Sequence, residues 1–254
     1  MKVTFLGTGT SQGVPFIGCG CAVCTSHNPK DNRLRSSVWI QTPEASIVID
    51  SGPDFRYQML RAKVHKLDAI IFTHGHKDHI AGLDDVRAYN YHDNKAMEVY
   101  ATAATEEGLR REFYYIFSDH TYPGIPKVNL HTINSNDVIN INGLEITPIR
   151  VLHYKLEVLG FRINDFTYIT DANYIAPEEM DKIKGSKTFV VNALRHEPHI
   201  SHYTMQEAIE IAKQTGAEAA YFTHISHQLG LHDEVNSILP TGMFLAYDGL
   251  TLHL

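Results

Sequence analysis

A layered α/β domain is what this chain predicts, on three observations. Short apolar strand-like runs recur in both halves, helical patterns fall between them, and 254 residues with a hydrophobic fraction of 43% suffice for one sizeable core. In the first half the strands read Val3 to Leu6, Ser37 to Gln41, Ser46 to Asp50 and Ala69 to Phe72, with Thr42-Pro43-Glu44-Ala45 as a hairpin connection. Helical spacing appears at Asp54 to Arg61, Asp84 to Tyr91 and Thr105 to Phe113. Strands return at Leu144 to Val151, Glu157 to Ile163, Thr167 to Thr170, Thr188 to Asn192 and Ala219 to Thr223. The clearest helix starts at Thr204, an N-cap with Glu207 three residues on, and runs through Lys213 with Gly216 just beyond. No repeat or low-complexity linker interrupts the chain, so residues 1–254 read as a single domain. Periodicity alone does not say that two sheets face each other.

Composition narrows the function classes. No apolar run has the length of a membrane span and the N-terminus is strand-like, so a cytoplasmic protein without membrane association is expected. All three cysteines lie within Cys19-Gly20-Cys21-Ala22-Val23-Cys24, an odd, crowded set that suits a reducing compartment. The formal charge of −7 argues against general nucleic-acid binding. Local positive charge at Lys30, Arg33 and Arg35 is available to greet an anionic substrate. The aromatic segment 113–124 reads as a buried helix end plus loop, with a flap or homodimer surface as the functional alternative.

The densest chemistry is Thr73-His74-Gly75-His76-Lys77-Asp78-His79, directly after an apolar strand. Three imidazoles and a carboxylate so close together cost stability unless a divalent metal organises them. His74 and His76, two apart on extended chain, point to one side; Asp78 and His79 follow a turn and can serve a second ion. Two ions need further ligands, and three strand-end positions offer them: His153, Asp171 and His224.

In that order these residues resemble the metallo-β-lactamase superfamily over nearly the whole chain. The resemblance implies an αβ/βα four-layer sandwich. It also implies one site from His74, His76 and His153, a second from Asp78, His79 and His224, and Asp171 bridging two divalent ions, Zn2+ or Mn2+. Asp50 matches the Asp that steadies the ligand loop.

Cys19, Cys21 and Cys24 have tight thiolate spacing that one histidine would complete as a structural zinc site. Local spacing favours His27, whereas His227 would tie the N-terminal loop to the active-site segment. The cysteine loop, together with Thr223-His224-Ile225-Ser226-His227, is similar to the cyclic-phosphate phosphodiesterases of the carbon–phosphorus lyase pathway, where the distant histidine completes the site. That similarity implies His227. It also implies a catalytic His202 near the leaving group and hydrolysis of a small, cyclic ribose phosphodiester by hydroxide bridging two ions, with Asp78 orienting it. A transfer-RNA 3′-processing nuclease and a non-catalytic metal-stabilised RNA-binding module are the alternatives. Nine of the 16 histidines, among them His199, are left without a role.

Overall fold

A computed structural model describes residues 1–118 and 122–254. Two mixed sheets lie face to face. The first holds, in spatial order, β15 (Thr251–His253), β1 (Lys2–Gly7), β2 (Ser37–Gln41), β3 (Ser46–Ile49), β4 (Ala69–Ile71), β5 (Met97–Ala101) and β6 (Val128–Thr132). It is antiparallel from β15 to β3 and parallel from β3 to β6. The second runs β11 (Tyr174–Ile175), β8 (Leu144–His153), β9 (Leu156–Ile163), β10 (Phe166–Tyr168), β12 (Thr188–Asn192), β13 (Ala219–Thr223) and β14 (Met243–Leu245), with β7 (Ile139–Ile141) beside β8.

Alternation along the strands decides the layers. Ile47 and Ile49 of β3 point to the inter-sheet core, where Val3, Phe5, Ile40 and Ile71 meet Leu159, Phe161, Phe166 and Val190 of the other sheet. Their neighbour Val48 points outward and packs with Ile70 and Val99 under Phe55, Met59, Tyr89 and Leu109. Those four lie on or beside α1 (Phe55–Ala62), α3 (Arg87–Asp93) and α4 (Ala103–Glu112). On the second sheet Phe189, Val191 and Phe222 face outward against α5 (Pro177–Ile183), α6 (Met205–Thr215) and α7 (His232–Ser237). Each central strand therefore buries both faces, which is why it reads as an unbroken apolar run rather than as clean alternation. The result is the expected four-layer αβ/βα sandwich.

Several elements differ from expectation. Asp50 leaves the strand, because its backbone turns left-handed with φ 64°. The helix read from Asp84 is a 3₁₀ turn, Leu83–Val86, before α3. At the aromatic segment Phe113 is buried and Tyr115, Ile116 and Phe117 pack on the outer core, while Tyr114 and Tyr122 are exposed. Asp119, His120 and Thr121 lie outside the described residues. The helix from Thr204 forms as read: Thr204 Oγ1 accepts from Glu207 N at 3.2 Å and Thr204 N donates to Glu207 Oε2 at 2.8 Å. No helix among the described residues is long and apolar enough to cross a membrane.

The positive residues of the N-terminal loop have partners within the chain. Lys30 pairs with Asp233 and Arg35 with Asp54. Arg33 is buried and donates to Thr8 Oγ1 at 2.8 Å, Ala246 O at 2.6 Å and His232 Nδ1 at 3.0 Å. A guanidinium only donates, so His232 Nδ1 accepts and the ring is neutral. Burial, then the charge of Arg33, push His232 down to about 4. Unfolding would let this imidazole protonate at its ordinary value near ~6.5. Its contribution to stability is therefore whole above that value and is lost as pH falls from there through about 4. Thermal unfolding from about pH 8 to about pH 4 should fall more steeply for the wild type than for His232→Gln. Parallel curves would rule out this linkage.

Candidate active site and cysteine cluster

The strand ends of both sheets open on one rim, and the polar side chains gather there. β4 stops at Ile71, and the loop Thr73–His76 leads into the short helix α2 (Lys77–Ile80), which carries Asp78 and His79. Asp50 organises this loop. Its carboxylate accepts from Thr73 N at 2.8 Å, Thr73 Oγ1 at 2.9 Å and His79 Nδ1 at 2.7 Å. The Thr73 hydroxyl, its proton given to Asp50, can accept from His74 Nδ1 at 3.0 Å. Nε2 of both His74 and His79 is thereby left facing the centre. Gly52 lets the chain after Asp50 pass beneath α2, since a Cβ there would stand 2.0 Å from Asp78 O.

His153 closes β8 and donates from Nδ1 to Ser201 O at 2.8 Å, which likewise turns Nε2 inward. Asp171 follows β10 with φ 58°, and His224 follows β13 with φ 55°. Asp50, Asp171 and His224 thus all hold a left-handed backbone that non-glycine residues seldom adopt, and such conformations cluster at functional sites.

Asp171 is the centre of the arrangement. Its carboxylate oxygens lie 3.0 Å from His224 Nδ1, 3.4 Å from His79 Nε2, 3.4 Å from His202 Nε2 and 3.9 Å from His74 Nε2. His74 Nε2 and His76 Nδ1 are 2.9 Å apart, near the ~3.3 Å that two nitrogens keep on one tetrahedral zinc. The His76 and His153 rings stand 5.3 Å apart. Asp78 Oδ2 sits 3.1 Å from His79 Nε2, and donor atoms of Asp78, Asp171 and His224 fall within 4.8 Å of one another. All seven residues read from the sequence are brought to one place.

The electrostatics suit a divalent cation. Burial lowers His74 and His153 and takes His224 down to about 3, so these imidazoles are neutral. Burial opposes ionisation of Asp171 and Asp78, but the facing imidazoles outweigh it and hold both carboxyls low. For His79 burial is outweighed by Asp171, Asp50 and Asp78, which draw it up. His79 Nε2 is nevertheless buried with no hydrogen-bond partner, although carboxylate oxygens surround it. A buried nitrogen without a hydrogen-bond partner, surrounded by carboxylate oxygens, fits the role of a metal ligand.

His202 enters the same cavity. Its ring stacks on His224 at 4.9 Å and 12°, stands edge-on to His153 at 4.5 Å, and shares a cluster with His153 and Asp171. Four supporting residues lie outside the sequence reading. Ser36 Oγ donates to Gly9 O at 3.0 Å and contacts His224 Nδ1 at 3.1 Å. Thr170 Oγ1 donates to Asp171 Oδ1 at 2.7 Å, Ser201 anchors His153, and His199 contacts His202. Thr170 and Ser201 were findable as neighbours of Asp171 and His202. Ser36 had no local signal, being 188 residues from its partner.

The cysteines form a second cluster. Sulfurs of Cys19, Cys21 and Cys24 and a ring nitrogen of His227 lie within 4.8 Å of one another, whereas His27 stays outside the group. Cys19 and Cys21 approach His227 Nδ1 at 3.5 and 3.4 Å, against about 3.6 Å for sulfur and nitrogen on one tetrahedral zinc. None of the three is in a disulfide. Phe16 N donates to Cys24 Sγ at 3.2 Å, and its ring stacks on His227 at 5.5 Å. The His227 contact lowers Cys21 to about 6, while burial raises Cys24 to about 11.

The family described as Beta-lactamase superfamily domain matches residues 45–225, which span every histidine and aspartate of the first cluster. The chain belongs to the metallo-β-lactamase superfamily. The match leaves out Cys19 to Cys24 and His227, so the cysteine cluster lies beyond the part matched to the superfamily. A crystal structure of a diphosphatase from the PhnP family is 42% identical, with TM-score 0.93, covering 99% of this chain and 96% of that one. A zinc-bound PqqB from Methylobacterium extorquens shares the fold at TM-score 0.81 and 20% identity over the full length of both chains. An octanoyltransferase of Porphyromonas gingivalis is 38% identical over 98% of this chain and 51% of its own length. A ribonuclease Z of Acaryochloris marina is 27% identical over 65% of this chain and 48% of its own. The chain thus spans about half the length of these curated relatives. Within this hydrolase superfamily, hydrolysis is the reaction class that family and fold support.

Proposed function

We propose that this chain is a metal-dependent phosphodiesterase acting on a small phosphodiester, with a cyclic ribose phosphate as the first candidate and a linear diphosphate as the second. The observation that carries the reading is the convergence of His74, His76, His79, His153, His224 and Asp78 around the buried Asp171 carboxylate. The likeness to a diphosphatase of the PhnP family turns that hydrolytic site towards phosphate esters. His74, His76 and His153 would hold one ion and Asp78, His79 and His224 the other, with Asp171 between them. Cys19, Cys21, Cys24 and His227 would hold a structural zinc that ties the N-terminal loop to the His224 segment. Zinc or manganese bound at the first two positions would acidify water towards neutral pH and offset charge growing on phosphoryl oxygens.

The chain's own groups do the rest. Asp50 and Ser201 fix the rings of His79 and His153 so that the donors need no rearrangement. Asp78 offers an acceptor oxygen to orient the attacking water. His202 presents Nε2 to the reaction centre and gives a proton to the departing sugar oxygen as the P–O bond breaks. The formal charge of −7, and the internal pairing of Lys30, Arg33 and Arg35, favour a small substrate over a nucleic acid.

The test is metal-reconstituted protein assayed side by side on ribose 1,2-cyclic phosphate, a linear diphosphate diester, a precursor transfer RNA and a thioester. Turnover of one of the first two well above the others is expected. The precursor arm is included because of the ribonuclease Z likeness; preference for it or for the thioester would overturn the proposal.

A further inference from the structure

The loop before α6 pairs His202 with His199, a histidine to which the sequence assigns no role. His199 Nδ1 lies 3.0 Å from His202 Nδ1, 3.4 Å from Ser201 N and 3.3 Å from Ser201 Oγ. A backbone N–H only donates, so His199 Nδ1 is an acceptor and that ring carries its proton on Nε2. His202 Nδ1 stands 3.0 Å from this lone pair and 3.2 Å from Ser201 Oγ, and it meets an acceptor at both when it carries the hydrogen, which places the proton on His202 Nδ1. His202 Nε2, 3.4 Å from Asp171 Oδ2, is then the nitrogen left to work at the centre.

Packing alone does not make that choice. Stacking on His224 and edge contact with His153 fix the plane of the His202 ring, yet a flipped ring or the other tautomer would fill the same space. The loop that supplies the acceptor is itself braced. Arg195 donates to Glu197 O at 3.2 Å, Pro198 O at 3.1 Å and Gln228 Oε1 at 2.8 Å, which ties the loop to the turn at His227.

We infer that His199 is a positioning residue that holds His202 as the Nδ1–H tautomer with Nε2 aimed at the leaving group. It does for His202 what an orienting carboxylate does in other acid–base pairs, without adding negative charge beside a phosphate substrate. After His202 gives its Nε2 proton to the departing oxygen it keeps the Nδ1 proton, and so returns to the tautomer that His199 favours. The inference rests on the reading of His202 as the acid.

The test compares His199→Ala, His199→Asn, His202→Ala and the double alanine variant, all metal-loaded. Each is assayed on a diester with an alkyl leaving group and on bis-nitrophenyl phosphate, whose leaving group needs no proton. His199→Ala should lower kcat on the alkyl substrate about ten- to a hundredfold, with KM changed less than about twofold and little effect on the nitrophenyl substrate. Asparagine, whose side-chain oxygen can replace the Nδ1 acceptor, should restore most of the rate. The double variant should be no slower than His202→Ala. Nitrogen-15 NMR should find His202 protonated at Nδ1 in the wild type and of mixed tautomer in His199→Ala. Equal losses on both substrates, or an unchanged tautomer, would overturn the inference. If His202→Ala depends on the leaving group while His199→Ala does not, the positioning role alone fails. If neither depends on it, the acid assignment fails as well.

Discussion

Replacing His202 with alanine is expected to cut turnover of an alkyl phosphodiester by about 10²- to 10⁴-fold while leaving metal content unchanged. The magnitude is that of losing a proton donor to a poor leaving group. The unchanged metal content follows from the anchors of the neighbours. His153 is held by Ser201 O, His224 contacts Ser36, and Asp171 accepts from Thr170, so none of these depends on the His202 ring. The competing outcome is concrete, because His153, Asp171 and His202 offer donors within 4.8 Å of one another. Loss of one ion per chain along with the activity would make His202 a ligand rather than an acid. Metal analysis of the purified variant, together with rates on alkyl and nitrophenyl substrates, separates the two.

What could be read from the sequence follows the range of the interactions. His74, His76, Asp78 and His79 were legible because one loop carries them and their spacing is itself the signal. His153, Asp171 and His224 needed strand-end logic and a resemblance, since each alone looks like an ordinary polar residue. The central strands were legible from apolar runs; β7, β11, β14 and β15 were not, because two or three residues at a sheet edge show no period. β5 was missed although Met97, Val99 and Ala101 alternate with more exposed residues, so there the signal was present. Ser36, Thr73 and His199 act through hydrogen bonds whose partners only the fold selects. The positive charge of Arg33 misled for the same reason: composition counts charges but does not show that Arg33 is buried against Thr8 and His232.

The second large effect is expected at Asp171. Asparagine is the informative replacement, because it tolerates the left-handed backbone at φ 58° that alanine would strain, and it can still accept from Thr170 Oγ1. The change therefore isolates the negative charge. That charge faces imidazoles of His74, His79, His202 and His224 from both halves of the chain, and in the proposed site it would be shared by two ions. Without it, bound metal should fall by at least one ion per chain and turnover by about a thousandfold or more. The fold should persist, since the inter-sheet core of Phe5, Ile47, Phe161 and Phe166 is built from other residues. Circular dichroism would report that persistence, and metal analysis the missing ion. The cysteine cluster supplies an internal control, for Cys19, Cys21, Cys24 and His227 share no donor with Asp171. Zinc held there, as proposed, should survive the substitution and resist a chelator that strips any ion left at the first cluster. A variant that keeps every ion and its activity would show that Asp171 is a satisfied buried carboxylate and not the bridge. A variant that also loses the cysteine-bound zinc would show that the two clusters are one cooperative unit, joined through the short segment from His224 to His227.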